Sequence, residues 1–108
     1  GDTSHLLQHY VRETSTFSLE EAIHKMTGEL AVDWGLADRG TLEEGKAADI
    51  VIFNSETVSV GKEEFVDDFP GEARRYVRKS EGYDVVIVNG AIAYQDGRYT
   101  ETLNGRVV

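Results

Sequence analysis

Apolar positions in the first third of the chain recur with a helical period. At about 100° per residue, Leu6, Leu7, Tyr10 and Val11 form one stripe, with His5, His9 and Arg12 on the opposite side. The pattern predicts a helix reaching about Glu13 and capped by Thr3 or Ser4. A second helix opens at "SLEE": Ser18 as N-cap and Glu21 three residues on form a capping box, each satisfying a backbone N–H that the helix leaves orphaned. Leu19, Ala22, Ile23 and Met26 carry its apolar face, and Gly28 is expected to stop it. A short helical turn over Glu29 to Trp34 should present Leu30, Ala31 and Trp34 and end at Gly35.

Beyond Gly35 the period changes, and glycines separate short β-prone runs. "ADIVIF" (48–53) is almost continuously apolar and β-branched, as in a strand covered on both faces, and "TVSV" (57–60) offers a short partner. In "YDVVIVNGAIAYQDGRYT" two such runs flank Asn89-Gly90, a pair that readily takes the two positive φ angles of a type I′ turn. Asp96-Gly97 is a second tight turn, after which Arg98 to Thr100 can pair again. "KEEFVDDFPGE" (62–72) is acidic and holds the only proline, so an excursion loop is expected there. There is no internal repeat. Helices come first and strands afterwards, with a seam near residues 35 to 45, which indicates an α+β fold or pieces of two domains joined end to end. The strands have long apolar runs and no amphipathic helix to cover both faces, so part of a sheet is expected to be missing.

Composition narrows the function classes. A chain of 108 residues, 40% apolar and 29% charged, is one small soluble domain or part of a larger one. Without cysteine there is no disulfide, no Cys-type zinc site and no thiol nucleophile. With 20 acidic residues against 11 basic ones, the net charge of −9 argues against a nucleic-acid partner. The cations of "RRYVRK" (74–79) are expected on an edge strand paired with nearby carboxylates. No run approaches the roughly 18 apolar residues of a membrane span. The opening "GDTSHLL" has neither an initiator Met nor a charged-then-apolar leader. We therefore expect a cytoplasmic chain that starts as though cut from something longer.

Candidate chemistry is sparse. His5 and His9 are four apart, the helical spacing at which two imidazoles share a zinc ion, but Leu6 stands where a zincin-type site needs its glutamate. Both rings also lie opposite the apolar stripe. His24 is expected to pair with Glu20 one turn away. The doublets Glu20-Glu21, Glu43-Glu44, Glu63-Glu64 and Asp67-Asp68 diverge on helix or strand alike and serve solvation. No Gly-x-Ser-x-Gly elbow or phosphate-binding glycine loop is present. Asp49 stands before the most buried-looking strand and is expected to accept backbone N–H groups of the preceding turn. No catalytic, cofactor-binding or metal-ligating residue is therefore expected in this chain.

Residues 27–54, "TGELAVDWGLADRGTLEEGKAADIVIFN", resemble a stretch near the C-terminus of amidohydrolase-superfamily enzymes. The likeness is carried by Thr27, Gly35-Leu36, Gly40, Leu42, Gly45 and Ala48-Asp49-Ile50-Val51; Gly28-Glu29-Leu30 replaces the usual Asn-Pro-Ala. "GDTSHLLQHYVRE", "FVDDFPGEARRYV", "IVNG" and "DGRYTETLNGRVV" are similar to the N-acyl-D-amino-acid deacylase branch. The resemblance implies that residues 1–36 are terminal helices of a (β/α)8 barrel and residues 37–108 the C-terminal half of a small, incomplete β-sandwich or barrel. It implies a parent that hydrolyses a non-peptide amide, with zinc activating water, and ligands that all lie upstream and map to no position here. Barrel helices begin on the active-site face, which puts Asp2 to His5 nearest the chemistry without making them catalytic. The leading expectation is a C-terminal fragment, silent alone, whose partner is the rest of the parent enzyme and whose exposed strand edges also favour homo-oligomers. A stand-alone interaction module recruiting partners by its open β-edges is the alternative, and a small metal-binding protein using His5 and His9 a further one.

Overall fold

The computed structural model describes residues 2–71 and 73–108. Gly1, Glu72 and the Asp2 side chain, all of which belong to stretches singled out above, lie outside the described residues. The fold is α+β. Helix α1 (Asp2–His5) runs directly into a π-helical segment (Leu6–Glu13), followed by α2 (Leu19–Met26) and α3 (Gly28–Asp33). Strands β1 (Ile50–Phe53), β4 (Tyr83–Val88), β5 (Ala91–Gln95) and β6 (Arg98–Tyr99) form an antiparallel sheet in the order β1-β4-β5-β6. Strands β2 (Ser59–Phe69) and β3 (Ala73–Glu81) pair separately as a two-stranded ribbon.

Local signals predicted several elements well. Ser18 Oγ accepts the Glu21 N–H at 3.1 Å while Glu21 Oε2 accepts the Ser18 N–H at 2.9 Å, the expected capping box. Asn89 (φ 46°) and Gly90 (φ 81°) turn β4 into β5, and Asp96 (φ 49°) and Gly97 (φ 83°) turn β5 into β6, both with the paired positive angles of a type I′ turn.

The first helix differs from its prediction. Backbone is already helical at Asp2, so neither Thr3 nor Ser4 caps it, and Ser4 is 1% exposed. From Leu6 onward the turns widen, closing on a Thr14 N–H to His9 carbonyl bond of 2.9 Å. Each residue then advances by less than the α-helical angle, and the lag accumulates. Tyr10 leaves the apolar stripe to meet His5 and His9 edge-on, with centroids 5.9 and 4.9 Å away. Arg12 swings off the histidine face altogether. Three faces result: apolar Leu6, Leu7 and Val11, aromatic His5, His9 and Tyr10, and polar Ser4, Gln8 and Arg12.

Other expectations are corrected as well. Gly28 does not stop α2: Thr27 ends it and Gly28 begins α3. "TVSV" is not a short strand of its own: Thr57 lies in a turn, Val58 is buried outside regular structure, and Ser59 starts the longer β2. The acidic stretch 62–72 is largely strand rather than excursion loop, its described residues forming most of β2 and the Pro70-Gly71 turn. Each carboxylate that disfavours a strand in isolation finds a cation across the ribbon: Glu63 with Arg78, Glu64 with Lys79, Asp67 with Arg74 and Asp68 with Arg75. "RRYVRK" is the edge strand its composition predicted. His24 Nδ1 lies 3.7 Å from Glu29 Oε2, not beside Glu20. Strand β1 is not covered on both faces, since neighbours Val51 and Ile52, which point to opposite sides, are each 49% exposed.

The core sits at the junction of helices and strands. Leu7, Ala22 and Val58 are its buried centre, with Phe17, Ile23, Phe53 and Tyr83 packed around them. Gly82, at φ 84°, lets β4 start directly against the Val58 backbone, where a Cβ would collide. The radius of gyration is 15.7 Å, against about 13 Å for a compact domain of this length. The elongation reflects a ribbon and a sheet that little else covers.

Candidate functional site

Two sets of contacts organise the molecule. One fastens the first helix to the strands. Ser4 Oγ donates to Ser80 Oγ at 2.7 Å and, its proton thus committed, accepts from the Tyr83 hydroxyl at 2.8 Å. One turn on, Gln8 Oε1 accepts the Val60 N–H at 2.9 Å. A turn further, Arg12 donates to the carbonyls of Val58 (2.7 Å) and Ser55 (3.1 Å). These residues stand four apart, so the widened turn aligns them along one face. Sequence reasoning missed this seam, because a uniform α-helical wheel puts Arg12 with the histidines.

The second set is wired through residues 27–54. Thr27 Oγ1 donates to the Ile23 carbonyl at 2.7 Å and closes α2. Gly35 (φ 69°) and Leu36 end α3 in a Schellman pattern, Leu36 N–H bonding the Ala31 carbonyl at 2.8 Å and Gly35 N–H that of Val32 at 3.1 Å. Gly40 (φ 90°) then passes so close to α3 that a Cβ there would overlap the Ala31 side chain. Arg39 Nη1 donates to Asp49 Oδ2 at 2.8 Å and Arg39 Nε to Asp38 Oδ1 at 3.1 Å. This guanidinium holds the Asp38 carboxyl below the usual carboxylate range, and Asp38 in return raises Arg39. Asp49 Oδ1 accepts the Asn89 N–H at 2.7 Å, and the Gly90 N–H reaches the Ala48 carbonyl at 3.0 Å. Asp49 is thus a backbone acceptor, as expected, but its donor is the β4–β5 turn rather than the preceding turn.

A cleft of ≈760 Å³ opens between the first helical turn and the sheet, bordered by Ser4, Val51, Ser80, Tyr83, Val86 and Tyr94. The Ser4, Ser80 and Tyr83 hydroxyls at its edge bond one another, and its floor is bare sheet. It offers area to be covered, with no convergent reactive groups.

His5 and His9 stack with centroids 5.3 Å apart and planes 5° from parallel. His9 Nδ1 donates to Glu13 Oε2 at 2.8 Å, which together with the Gln8 amide holds the Glu13 carboxyl below its ordinary range. Among the described residues no three His, Asp or Glu side chains converge as metal ligands. The histidines do not fit a metal centre of the kind the resemblance implies, and no chemical step is assigned to them.

The contacts of residues 27–54 are structural, and comparison with known proteins gives the family they belong to. An amidohydrolase family profile matches residues 1–94. The chain belongs to the amidohydrolase family. Within that family it is 37% identical over 108 residues to D-aminoacylase of Alcaligenes xylosoxydans xylosoxydans, covering all of this chain and 20% of that protein. It is 35% identical, with the same coverage, to N-acyl-D-aspartate deacylase of that organism. A solved D-aminoacylase structure, described for its binuclear metal center, superposes with a TM-score of 0.75 at 36% identity, covering 97% of this chain and 20% of that one. This amidohydrolase chain therefore spans about a fifth of the length of the relatives it matches. Among the described residues, no helix is long and apolar enough to cross a membrane.

Proposed function

We propose that this chain is the C-terminal portion of a metal-dependent N-acyl-D-amino-acid deacylase, in which it closes the fold and contributes no catalytic group. On this reading residues 1–36 are the last helices of the barrel, residues 37–108 the C-terminal half of the small β domain, and the partner is the remainder of the enzyme, which holds the zinc. The observation that carries it is the likeness to D-aminoacylase over the whole chain. The purely structural contacts of Thr27, Gly35, Gly40 and Asp49 agree with that role. So do the uncovered faces of β1 and the open cleft, which suit a sheet that other polypeptide completes. Identity of 37% to D-aminoacylase and 35% to the D-aspartate enzyme does not favour either substrate, which supports a segment remote from acyl and side-chain selection.

The test is a chimera in which this chain replaces the matching fifth of D-aminoacylase, assayed beside the chain alone on N-acetyl-D-amino acids. The chimera should hydrolyse them and the chain alone should not. Turnover by the isolated chain, or a folded, metal-loaded chimera without activity, overturns the proposal.

A further inference from the structure

The sequence contains the dipeptide Asn-Gly twice, each time after a bulky aliphatic residue: Val88-Asn89-Gly90 and Leu103-Asn104-Gly105. We propose that Asn104-Gly105 is a spontaneous deamidation site from which the fold shields Asn89-Gly90. In this reaction the backbone nitrogen of the glycine attacks the asparagine Cγ. The new N–C bond closes a succinimide, and the side-chain amide leaves as ammonia, taking the glycine N–H proton. Water then opens either imide carbonyl to give aspartate or isoaspartate. No redox partner is needed. The step requires a free glycine N–H, a side chain able to fold onto it, and a backbone free to rotate.

Asn89-Gly90 meets none of these needs. The Gly90 N–H is bound to the Ala48 carbonyl at 3.0 Å, and the Asn89 N–H to Asp49 Oδ1 at 2.7 Å. Asn89 Nδ2 donates to the Asn104 carbonyl at 2.6 Å, which draws its Cγ toward residue 104. The turn itself fixes φ at 46° and 81°. The Asp49 carboxylate also opposes the anionic nitrogen that must form at Gly90. Asn104-Gly105 is the converse. It is exposed and lies outside regular structure, Gly105 has open space around it, and no hydrogen bond from its N–H is made among the described residues. The Asn104 amide makes a single long bond, 3.4 Å to the Asn89 carbonyl, and Arg106 follows with a cation.

The modification has a structural consequence. Among the described residues, the Asn89–Asn104 bonds are the only hydrogen bonds tying residues 103–108 to the sheet. Deamidation turns the Asn104 donor into a carboxylate facing the Asn89 carbonyl and loosens that segment.

Trypsin separates the two sites, since cleavage after Lys79, Arg98 and Arg106 puts Asn89 in peptide 80–98 and Asn104 in peptide 99–106. The chain is aged at mildly alkaline pH, and both peptides are followed by mass and by the retention split of aspartyl and isoaspartyl forms. Reaction at Asn89 requires its hydrogen bonds and the turn to open first, so Asn104 should react about tenfold or more faster than Asn89. In concentrated urea the two rates should converge. Gly105→Pro, which removes the nucleophilic N–H in open space, should abolish reaction at Asn104 and leave Asn89 unchanged. Equal rates in the folded chain, a gap that survives urea, or continued reaction at Asn104 in the proline variant overturns the proposal.

Discussion

Single residues show how the family signature works as physics. Gly40 and Gly45 both carry positive φ, 90° and 86°, yet only Gly40 has a neighbour, Ala31, where its Cβ would go. Gly45→Ala should cost about 1 kcal/mol, the left-handed penalty alone, whereas Gly40→Ala adds overpacking and should cost about 2–4 kcal/mol. Urea midpoints of the two variants test the difference, and equal losses would refute the packing argument. Sequence alone shows both glycines and cannot rank them, because the ranking depends on where α3 lies. Asp38 and Asp68 yield a second prediction. Both are held below the ordinary carboxylate range, by Arg39 and Arg75 respectively. A depressed folded-state pKa contributes stability above the unfolded value, about 4, and loses it as pH falls through the folded value. The urea midpoint should therefore be flat near neutrality and fall below about pH 4, less steeply in Arg39→Gln, and less steeply again in high salt because both carboxylates are exposed.

At the scale of elements, legibility followed the range of the signal. The capping box at Ser18 and the turns at Asn89-Gly90 and Asp96-Gly97 are specified within four residues, and they formed as read. The π-helical segment was not legible, because it depends on partners far along the chain; of the ribbon only β3 was, because β2 is acidic by its own residues until the cations of β3 lie across from it. Arg12 and Gln8 bind Ser55, Val58 and Val60, more than forty residues away, and the wide turn is what lets both reach. Arg12→Ala should leave the Val58 carbonyl without its donor and cost about 1–3 kcal/mol, while His5→Ala on the outer face should stay within about 0.5 kcal/mol. Denaturation of the two variants checks this, and similar costs would mean that the seam contributes nothing. In the ribbon, acidic residues lower strand propensity one by one, but the cations of β3 pair with them across the two strands. The ion pairs are exposed and add little stability; their larger effect is to fix which strands pair. Charge is also segregated, with Glu63, Glu64, Asp67 and Asp68 on one strand and Arg74, Arg75, Arg78 and Lys79 on the other. Two copies meeting through like strands of the ribbon would set acid against acid or base against base.

For the whole molecule, that segregation decides where an uncovered surface can act. The ribbon resists pairing with itself through like strands, so like-with-like self-association should fall to the four-stranded sheet, whose β1 exposes Val51 and Ile52 on opposite faces and whose cleft is floored by strand. Trp34 and Leu42, each 79% exposed, add apolar surface within residues 27–54. If the rest of a deacylase normally covers these surfaces, the chain alone should form concentration-dependent oligomers and bind a hydrophobic dye. Val51→Lys with Ile52→Lys, placing charge on both faces of an edge strand, should shift light scattering toward monomer. Phe65→Lys in the ribbon, though it also replaces an exposed aromatic, should not. Supplying the chain as the chimera described above should suppress dye binding without any substitution, because the rest of D-aminoacylase then covers the surface. Two outcomes separate the ideas. A monomer that binds no dye would mean that the sheet needs no cover. Oligomers dissolved by Phe65→Lys instead would assign the interface to the ribbon, and the charge argument would fail.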